Sequence, residues 1–243
     1  MGHQQRFRDL LPQFLQEFLK LFYPDVERQL DFRNIEFPDF AEGSGREAGV
    51  VAKLQTHSGT PKLVLIYIEI QSRPEPDFPS RMFHYYCLLG LQHKLPVFPI
   101  VVYLRGGEEG LAVEEYRIQH CGKDVLRFRY ESVRLARLSV EEYRKRGGPV
   151  GAALGALMDR SMSRDPAELR ASMLLRVVES ALDDARQFLL VDLIETYFEL
   201  AAGQMESYEQ MISRKEYRKV QGRRVDVGRK TRGEGTSGWP RHR

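Results

Sequence analysis

A run of apolar residues at positions 63–70 limits the possible folds more than any other segment. Its sequence, LVLIYIEI, is apolar on both faces apart from one acid near its end. Such a strand must be covered on both sides, which is typical of a central strand in a sheet flanked by helices. Residues 49–54 form a second predicted strand. Because only the polar segment 57–61 separates the two, we expect a hairpin.

The elements around this hairpin indicate an α/β protein with a mixed sheet. Apolar residues recur every three or four positions over residues 5–23, so this segment is a predicted helix. Pro12 should kink it or divide it into two short helices. A helix capped by Ser80 is predicted to run to residue 93, and a buried strand is predicted at 96–104. The resulting order of helix, strand, strand, helix and strand predicts a mixed sheet flanked by helices.

The second half of the chain is predicted to be mainly helical. A short extended segment at 31–40 and one or two strands within 116–130 complete the predicted sheet. Helical structure should begin at 139–145, and Asp165 should cap the first of the later helices. These later helices are predicted at 166–182, 184–200 and 204–219. We therefore divide the chain into a core at 1–138, a helical region at 139–219 and a tail at 220–243.

The net charge of +3 conceals an uneven distribution along the 243 residues. Residues 218–243 contain nine Lys and Arg against two Asp and Glu, which leaves the rest of the chain at −4. The body therefore lacks the general basic character of many nucleic-acid-binding proteins, and any DNA contact would need a local basic groove. The Gly- and Arg-rich tail is predicted to be disordered.

Composition also restricts location and cysteine chemistry. No apolar run approaches the roughly 20 residues that cross a bilayer, and the N-terminus lacks the features of a secretory signal. A cytoplasmic protein without a membrane span is the expectation. Cys87 and Cys121 have no metal-ligand spacing, so we expect two reduced thiols.

Glu69 is the strongest candidate for chemistry because it lies near the end of the apolar strand. Glu69 and Gln71 are two residues apart on extended backbone and so share one face, while the Ile70 carbonyl lies between them. A carboxylate and a carbonyl can bind Mg²⁺, with water completing the shell. Two structural alternatives remain: Glu69 could emerge into solvent, or it could pair with Arg46, Arg73 or Arg81.

Several blocks in register carry a family resemblance. In order along the chain they are REAGVVAK, LVLIYIEIQ, DFPSRMFHYY and LPVFPIVVYLRGG, and the segments HQQRFRDLL and LDDARQFLLVDLIETY add to them. Together these blocks resemble the recombination-promoting nuclease or putative transposase family, the YhgA-like group of the PD-(D/E)XK superfamily. The resemblance covers about residues 1–217.

This resemblance implies a restriction-endonuclease-like core and a Mg²⁺-dependent DNA endonuclease. An Asp on the first hairpin strand and a Glu on the second would hold the metal, whose bound water would attack the phosphodiester. Glu69 and Gln71 correspond to the catalytic positions, with the Ile70 carbonyl as a further metal ligand. The Asp of the family falls on Gly49, so we expect impaired cleavage. Glu47 is the candidate substitute for the missing acid, and its alternative is a solvated acid paired with Arg46 or Lys53.

The expected partners are DNA and a second copy of the chain. Arg73, Arg81 and Tyr85 are the candidate DNA contacts, because Arg81 and Tyr85 lie one helical turn apart beyond the proposed catalytic strand. The alternative for Tyr85 is a core aromatic residue. The alternative function is a non-catalytic DNA-binding or protein-interaction module that keeps the nuclease fold.

Overall fold

A computed structural model describes residues 3–39, 49–57 and 62–222, which form a mixed sheet with helices on both faces. The strands are β1 (Leu30–Glu36), β2 (Val50–Thr56), β3 (Leu63–Gln71), β4 (Val97–Tyr103), β5 (Leu111–His120) and β6 (Lys123–Arg134). Their order across the six-stranded sheet is β1-β2-β3-β4-β6-β5. β1, β2 and β3 are antiparallel neighbours, β4 is parallel to β3 and to β6, and β5 is antiparallel to β6. The predicted α/β class with a mixed sheet is confirmed.

One face of this sheet packs against most of the helices. The helices are α1 (His3–Phe22), α2 (Pro24–Glu27), α3 (Phe78–His93), α4 (Val140–Arg146), α5 (Gly148–Leu154), α6 (Pro166–Val178), α7 (Asp184–Tyr197) and α8 (Ala202–Ile212). Residues of α1 and of α4 to α8 share one hydrophobic cluster with Ile66, Ile68 and Ile70 of β3. The helices of the 139–219 region therefore lie on the same apolar layer as the N-terminal helix.

The opposite face carries a smaller cluster beneath α3. Leu65 and Tyr67 of β3 pack there with Phe78 and Met82 of α3 and with Tyr130 of β6. Since the even-numbered residues of β3 face one cluster and the odd-numbered residues face the other, the strand is buried on both sides, as its sequence predicts.

The kink predicted in the first helix is present. Pro12 lies inside α1, and Phe14 has the non-helical angles φ −136° and ψ 24°. Near this break the Gln13 carbonyl accepts a hydrogen bond of 2.5 Å from Arg186 Nη2 of α7. The interrupted helix is thus tied to a helix far along the chain.

The boundaries differ from the predictions at several points. α3 begins at Phe78, with Asp77 rather than Ser80 at the N-cap, because Pro79 suits the first turn. The strands predicted within residues 116–130 are longer in the structure, where β5 and β6 form a hairpin over residues 111–134. α5 was not predicted, since its Gly- and Ala-rich sequence has no apolar stripe although most of it is buried.

Other predictions agree with the structure, differ from it or fall outside it. Asp165 caps α6 by accepting hydrogen bonds from the amides of Ala167 and Glu168. Cys87 and Cys121 are free thiols. In the described part of the chain, no helix has both the length and the hydropathy to cross a membrane. The predicted disordered tail is wrong for residues 220–222, which are helical because Val220 is buried in the main hydrophobic cluster, and its residues 223–243 lie outside the described residues.

Candidate functional site

Glu69 lies near the end of β3, on the face covered by α3. The register between β2 and β3 pairs Val50 with Ile68, so Gly49 lies opposite Glu69 at the start of β2. The Glu69 residue is only 5% exposed. The alternative in which this acid emerges into solvent is therefore wrong.

Three groups of the chain itself donate hydrogen bonds to the Glu69 carboxylate. Oε2 accepts from the Gly49 amide at 2.8 Å and from the Tyr67 hydroxyl at 2.6 Å. Oε1 accepts from Gln71 Nε2 at 3.0 Å. A buried carboxylate needs such donors because desolvation would otherwise cost several kcal/mol. We call this group of Gly49, Tyr67, Glu69 and Gln71 the Glu69 cluster.

The ionisation of Glu69 reflects a balance between burial and these donors. Burial raises the pKa of the Glu69 carboxyl above its usual value, while Tyr67, the Gly49 amide, Gln71 and the Arg81 charge oppose that rise. Burial and the neighbouring Glu69 charge raise the pKa of Tyr67. Tyr67 is therefore a persistent hydrogen-bond donor to Glu69 at any physiological pH.

Gly49 is in close contact with its neighbours. A Cβ atom added there would lie 2.0 Å from the Ile68 carbonyl oxygen and 2.8 Å from Glu69 Oε2. Because the nearer atom belongs to the backbone, a side chain at this position requires the strand to move. The sequence indicates only that an acid is missing here, whereas the structure also gives the Gly49 amide a partner.

The other residues singled out from the sequence are spread around this cluster. Gln71 is buried, and its Oε1 accepts a hydrogen bond of 3.3 Å from Arg81. Arg81 also forms ion pairs of 3.3 Å with Glu75 and Asp77, so it reaches Glu69 through Gln71 rather than directly. The Ile70 side chain lies in the cluster on the other face.

The remaining predicted DNA contacts differ in exposure. Arg73 is exposed in the loop after β3. Tyr85 is 4% exposed, and its ring stands edge-on to Tyr67 with 5.9 Å between centroids. A phosphate contact by Tyr85 would require α3 to move, so its role in DNA binding stays a prediction.

Two further predictions concern residues 46 and 47. Arg46 and Glu47 lie outside the described residues, so the substitute acid and its pairing with Arg46 are untested. Lys53, the other partner considered for Glu47, forms an ion pair of 2.9 Å with Glu36 of β1.

The described residues of this site do not fit a magnesium ion. Within the described ranges, no three or more His, Cys, Asp or Glu side chains are grouped closely enough to hold a metal. Mg²⁺ requires oxygen acceptors, whereas Glu69 is surrounded by groups that donate to it. A metal would have to displace the hydrogen bonds of Gly49, Tyr67 or Gln71.

A second polar cluster lies on the same face, and it was not predicted from the sequence. Glu114 of β5 accepts from Arg134 at 2.6 Å and from the hydroxyls of Tyr130 and Tyr103 at 2.8 and 3.3 Å. The Arg134 guanidinium lies 5.4 Å from the centre of the Tyr103 ring. The available signal was the alternation of β5, in which Glu114 and Tyr116 share the face covered by α3.

The chain matches no family model, no curated protein and no solved structure at a significant level. The geometry of the site therefore carries the functional argument.

Proposed function

We propose that this chain is an impaired relative of the recombination-promoting nucleases, with a restriction-endonuclease-like core that does not hydrolyse DNA. The observation that carries the proposal is the Glu69 carboxylate, which accepts hydrogen bonds from Gly49, Tyr67 and Gln71 of its own chain. In this reading, the acid that corresponds to a metal ligand of the family stabilises the hairpin instead.

The connectivity of the sheet supports the core assignment. The antiparallel pair β2 and β3 is followed by α3 and by β4, which lies parallel to β3. Glu69 and Gln71 close the second strand of that hairpin on one face, which is the placement that the resemblance implies.

The energetics of the Glu69 cluster support the loss of metal-dependent cleavage. A metal on Oε2 would separate Glu69 from the Gly49 amide and the Tyr67 hydroxyl. Leaving a buried donor without a partner costs about 1–3 kcal/mol for each group. Gly49 has no carboxylate that could bind the metal as well. A divalent cation would therefore bind a single acid, while the Gly49 amide and the Tyr67 hydroxyl lost their hydrogen bonds to it.

A plasmid-nicking assay with Mg²⁺ or Mn²⁺ tests the proposal. The unmodified chain and its Glu69→Gln variant should leave supercoiled DNA equally intact, because neither has a formed metal site. Nicking by the parent that disappears in Glu69→Gln would contradict the proposal and establish Glu69 as catalytic.

The Gly49→Asp variant is the second arm of the same assay. We expect no gain of cleavage, since the new Cβ would meet the Ile68 carbonyl. An unfolding curve recorded on this variant separates a folded inactive protein from a misfolded one. Cleavage that appears in Gly49→Asp and is lost again in Gly49→Asp with Glu69→Ala would show that the missing acid alone disables the site.

A protein-interaction module is the second candidate function, and one observation favours it. β5 forms one edge of the sheet, and several of its apolar side chains are exposed. DNA as a partner stays a prediction that rests on the resemblance alone. The body of the chain is slightly acidic and gives no independent support for DNA binding.

A further inference from the structure

The outer edge of β5 is a long strand edge with no strand beside it in the described part of the chain. β5 has ten residues and pairs only with β6. Val113 is 57% exposed, and Leu111 and Ile118 are also exposed. Soluble proteins usually protect such edges, because their free backbone groups can pair with another strand.

The structure indicates which backbone groups point outward. The Arg134 amide donates to the Gly110 carbonyl at 2.7 Å, which makes residues 110 and 134 a hydrogen-bonded pair. Hydrogen bonding alternates along an antiparallel strand, so the even-numbered residues of β5 are bonded to β6 as far as Ile118, after which the register shifts. The N–H and C=O groups of Leu111, Val113, Glu115 and Arg117 therefore point away from the sheet.

Charge at the middle of this edge is concentrated around one carboxylate. Glu115 contacts Arg117 on its own strand, and Arg127 and Arg129 of β6 lie 3.4 Å from its Oε2. All three arginine side chains are at least half exposed. Arg127 also lies 3.9 Å from Asp124 Oδ2, so Arg117 is the cation of this group that lies on the edge strand itself.

Only a few two-fold pairings of β5 with itself agree with these constraints. The outward-pointing residues have odd numbers, so an odd residue must face an odd residue of the other copy. A two-fold axis at residue 115 would oppose two glutamates, and an axis at residue 117 would oppose two arginines. An axis at Tyr116 instead places Glu115 opposite Arg117 twice. Of the pairings that keep odd residues opposite odd residues, it is the one that sets a glutamate of β5 against an arginine of β5, and opposite charges directly across a pair are favourable.

We propose that β5 pairs antiparallel with β5 of a second copy, centred on Tyr116, so that one continuous sheet runs through both chains. Glu115 of each copy faces Arg117 of the other, and the two Tyr116 residues lie side by side at the axis. This inference does not depend on the proposed function, since it uses only the strand edge and its charges.

Sedimentation velocity over a series of chain concentrations tests the pairing. We expect the parent to dimerise, with modest affinity because one strand pair buries less than the roughly 1,600 Å² of a standard interface. Arg117→Glu should weaken the dimer by about tenfold or more, because it opposes two acids. Arg129→Glu is the matched control and should weaken the dimer much less, since it makes the same charge change beside Glu115 but on β6, one strand away from the paired edge.

The double variant Glu115→Arg with Arg117→Glu, made in an Arg129→Glu background, should restore dimerisation. It reverses both charges at the edge, while residue 129 keeps an opposite charge across from residue 115 within the chain. A parent that stays monomeric up to its solubility limit would overturn the proposal. An unchanged dimer in Arg117→Glu, or a double variant no better than Arg117→Glu, would also overturn this register.

A disulfide experiment tests the axis directly. In a background of Cys87→Ser and Cys121→Ser, Tyr116→Cys should form a cross-linked dimer on mild oxidation. Residues at a non-hydrogen-bonded pair have Cβ atoms about 4.5–5.5 Å apart, close enough for a disulfide after a small adjustment. Ile118→Cys should cross-link far less, because Ile118 faces Glu114 of the other copy. Equal cross-linking at both positions would contradict the proposed axis.

Discussion

The inner hairpin of β2 and β3 and the outer hairpin of β5 and β6 surround their carboxylates with different partners. β3 is buried on both faces, and Glu69 near its end accepts hydrogen bonds from three neutral donors of the same hairpin, namely Gly49, Tyr67 and Gln71. β5 lies at the edge and alternates, so Glu114 meets Arg134 on the face covered by α3, while Glu115 lies among three arginines on the opposite face. Position in the sheet therefore decides whether an acid is held by neutral donors, as in the centre, or by arginines, as at the edge.

The largest expected effect on the free energy of unfolding comes from a substitution at the closest contact of the inner hairpin. Gly49→Ala should destabilise the protein by about 3 kcal/mol, because its Cβ collides with the Ile68 carbonyl. Urea unfolding measures the change. Gly90→Ala in α3 is the control, since a Cβ there has open space and should add up to about 1 kcal/mol of stability. A Gly49→Ala protein as stable as the parent would show that the hairpin adapts freely.

A smaller effect is expected within the outer hairpin. Arg134→Met leaves the largely buried Glu114 with tyrosine hydroxyls alone and should cost about 2 kcal/mol. Arg129→Met, on the same strand but well exposed, should cost under about 0.5 kcal/mol. Thermal or urea unfolding of the two variants compares them. Equal losses of stability in the two variants would contradict the expected difference between the mostly buried Arg134 and the exposed Arg129.

The smallest effect concerns pH. Burial raises the pKa of Glu69 in the folded state, so this carboxyl keeps its proton to a higher pH in the folded protein than in the unfolded chain. This group therefore stabilises the fold fully below the unfolded pKa, and its contribution is lost as the pH rises through the folded pKa. Glu69→Gln should remove that loss, so its stability relative to the parent should increase as the pH rises.

Glu131→Gln provides the comparison for this measurement, because burial also raises the pKa of Glu131 at a separate position on β6. The two variants should change the pH dependence independently, and unfolding curves at a series of acid pH values would reveal it. A Glu69→Gln difference that stays constant with pH would contradict the assigned pKa shift.

Much of the inner hairpin could be predicted from the sequence because its signal is local. An unbroken apolar run with one terminal acid indicates a central strand, and the 3.6-residue period of α1 with Pro12 indicates a kinked helix. These patterns depend on neighbouring residues only. The burial of Glu69 follows from them, since its strand must be covered on both sides.

The partners of Glu69 could not be predicted in the same way. The Gly49 amide reaches Glu69 because two strands approach closely, and no spacing rule encodes that distance. The sequence likewise gives no sign that Glu114 and Arg134 meet across a hairpin that begins at Leu111. Such contacts depend on register, which is fixed only when the strands have paired.

The two ends of the described chain are buried in the same hydrophobic cluster, so the stability of each depends on the other. Phe7 of the first helix and Val220 near the last described residue are both fully buried in that cluster, on the same side of the sheet. A cut near residue 138 would therefore expose the underside of the sheet as well as the helices that cover it. Expression of residues 1–138 alone would yield an incomplete hydrophobic layer rather than a smaller protein, and the chain should unfold in one cooperative transition.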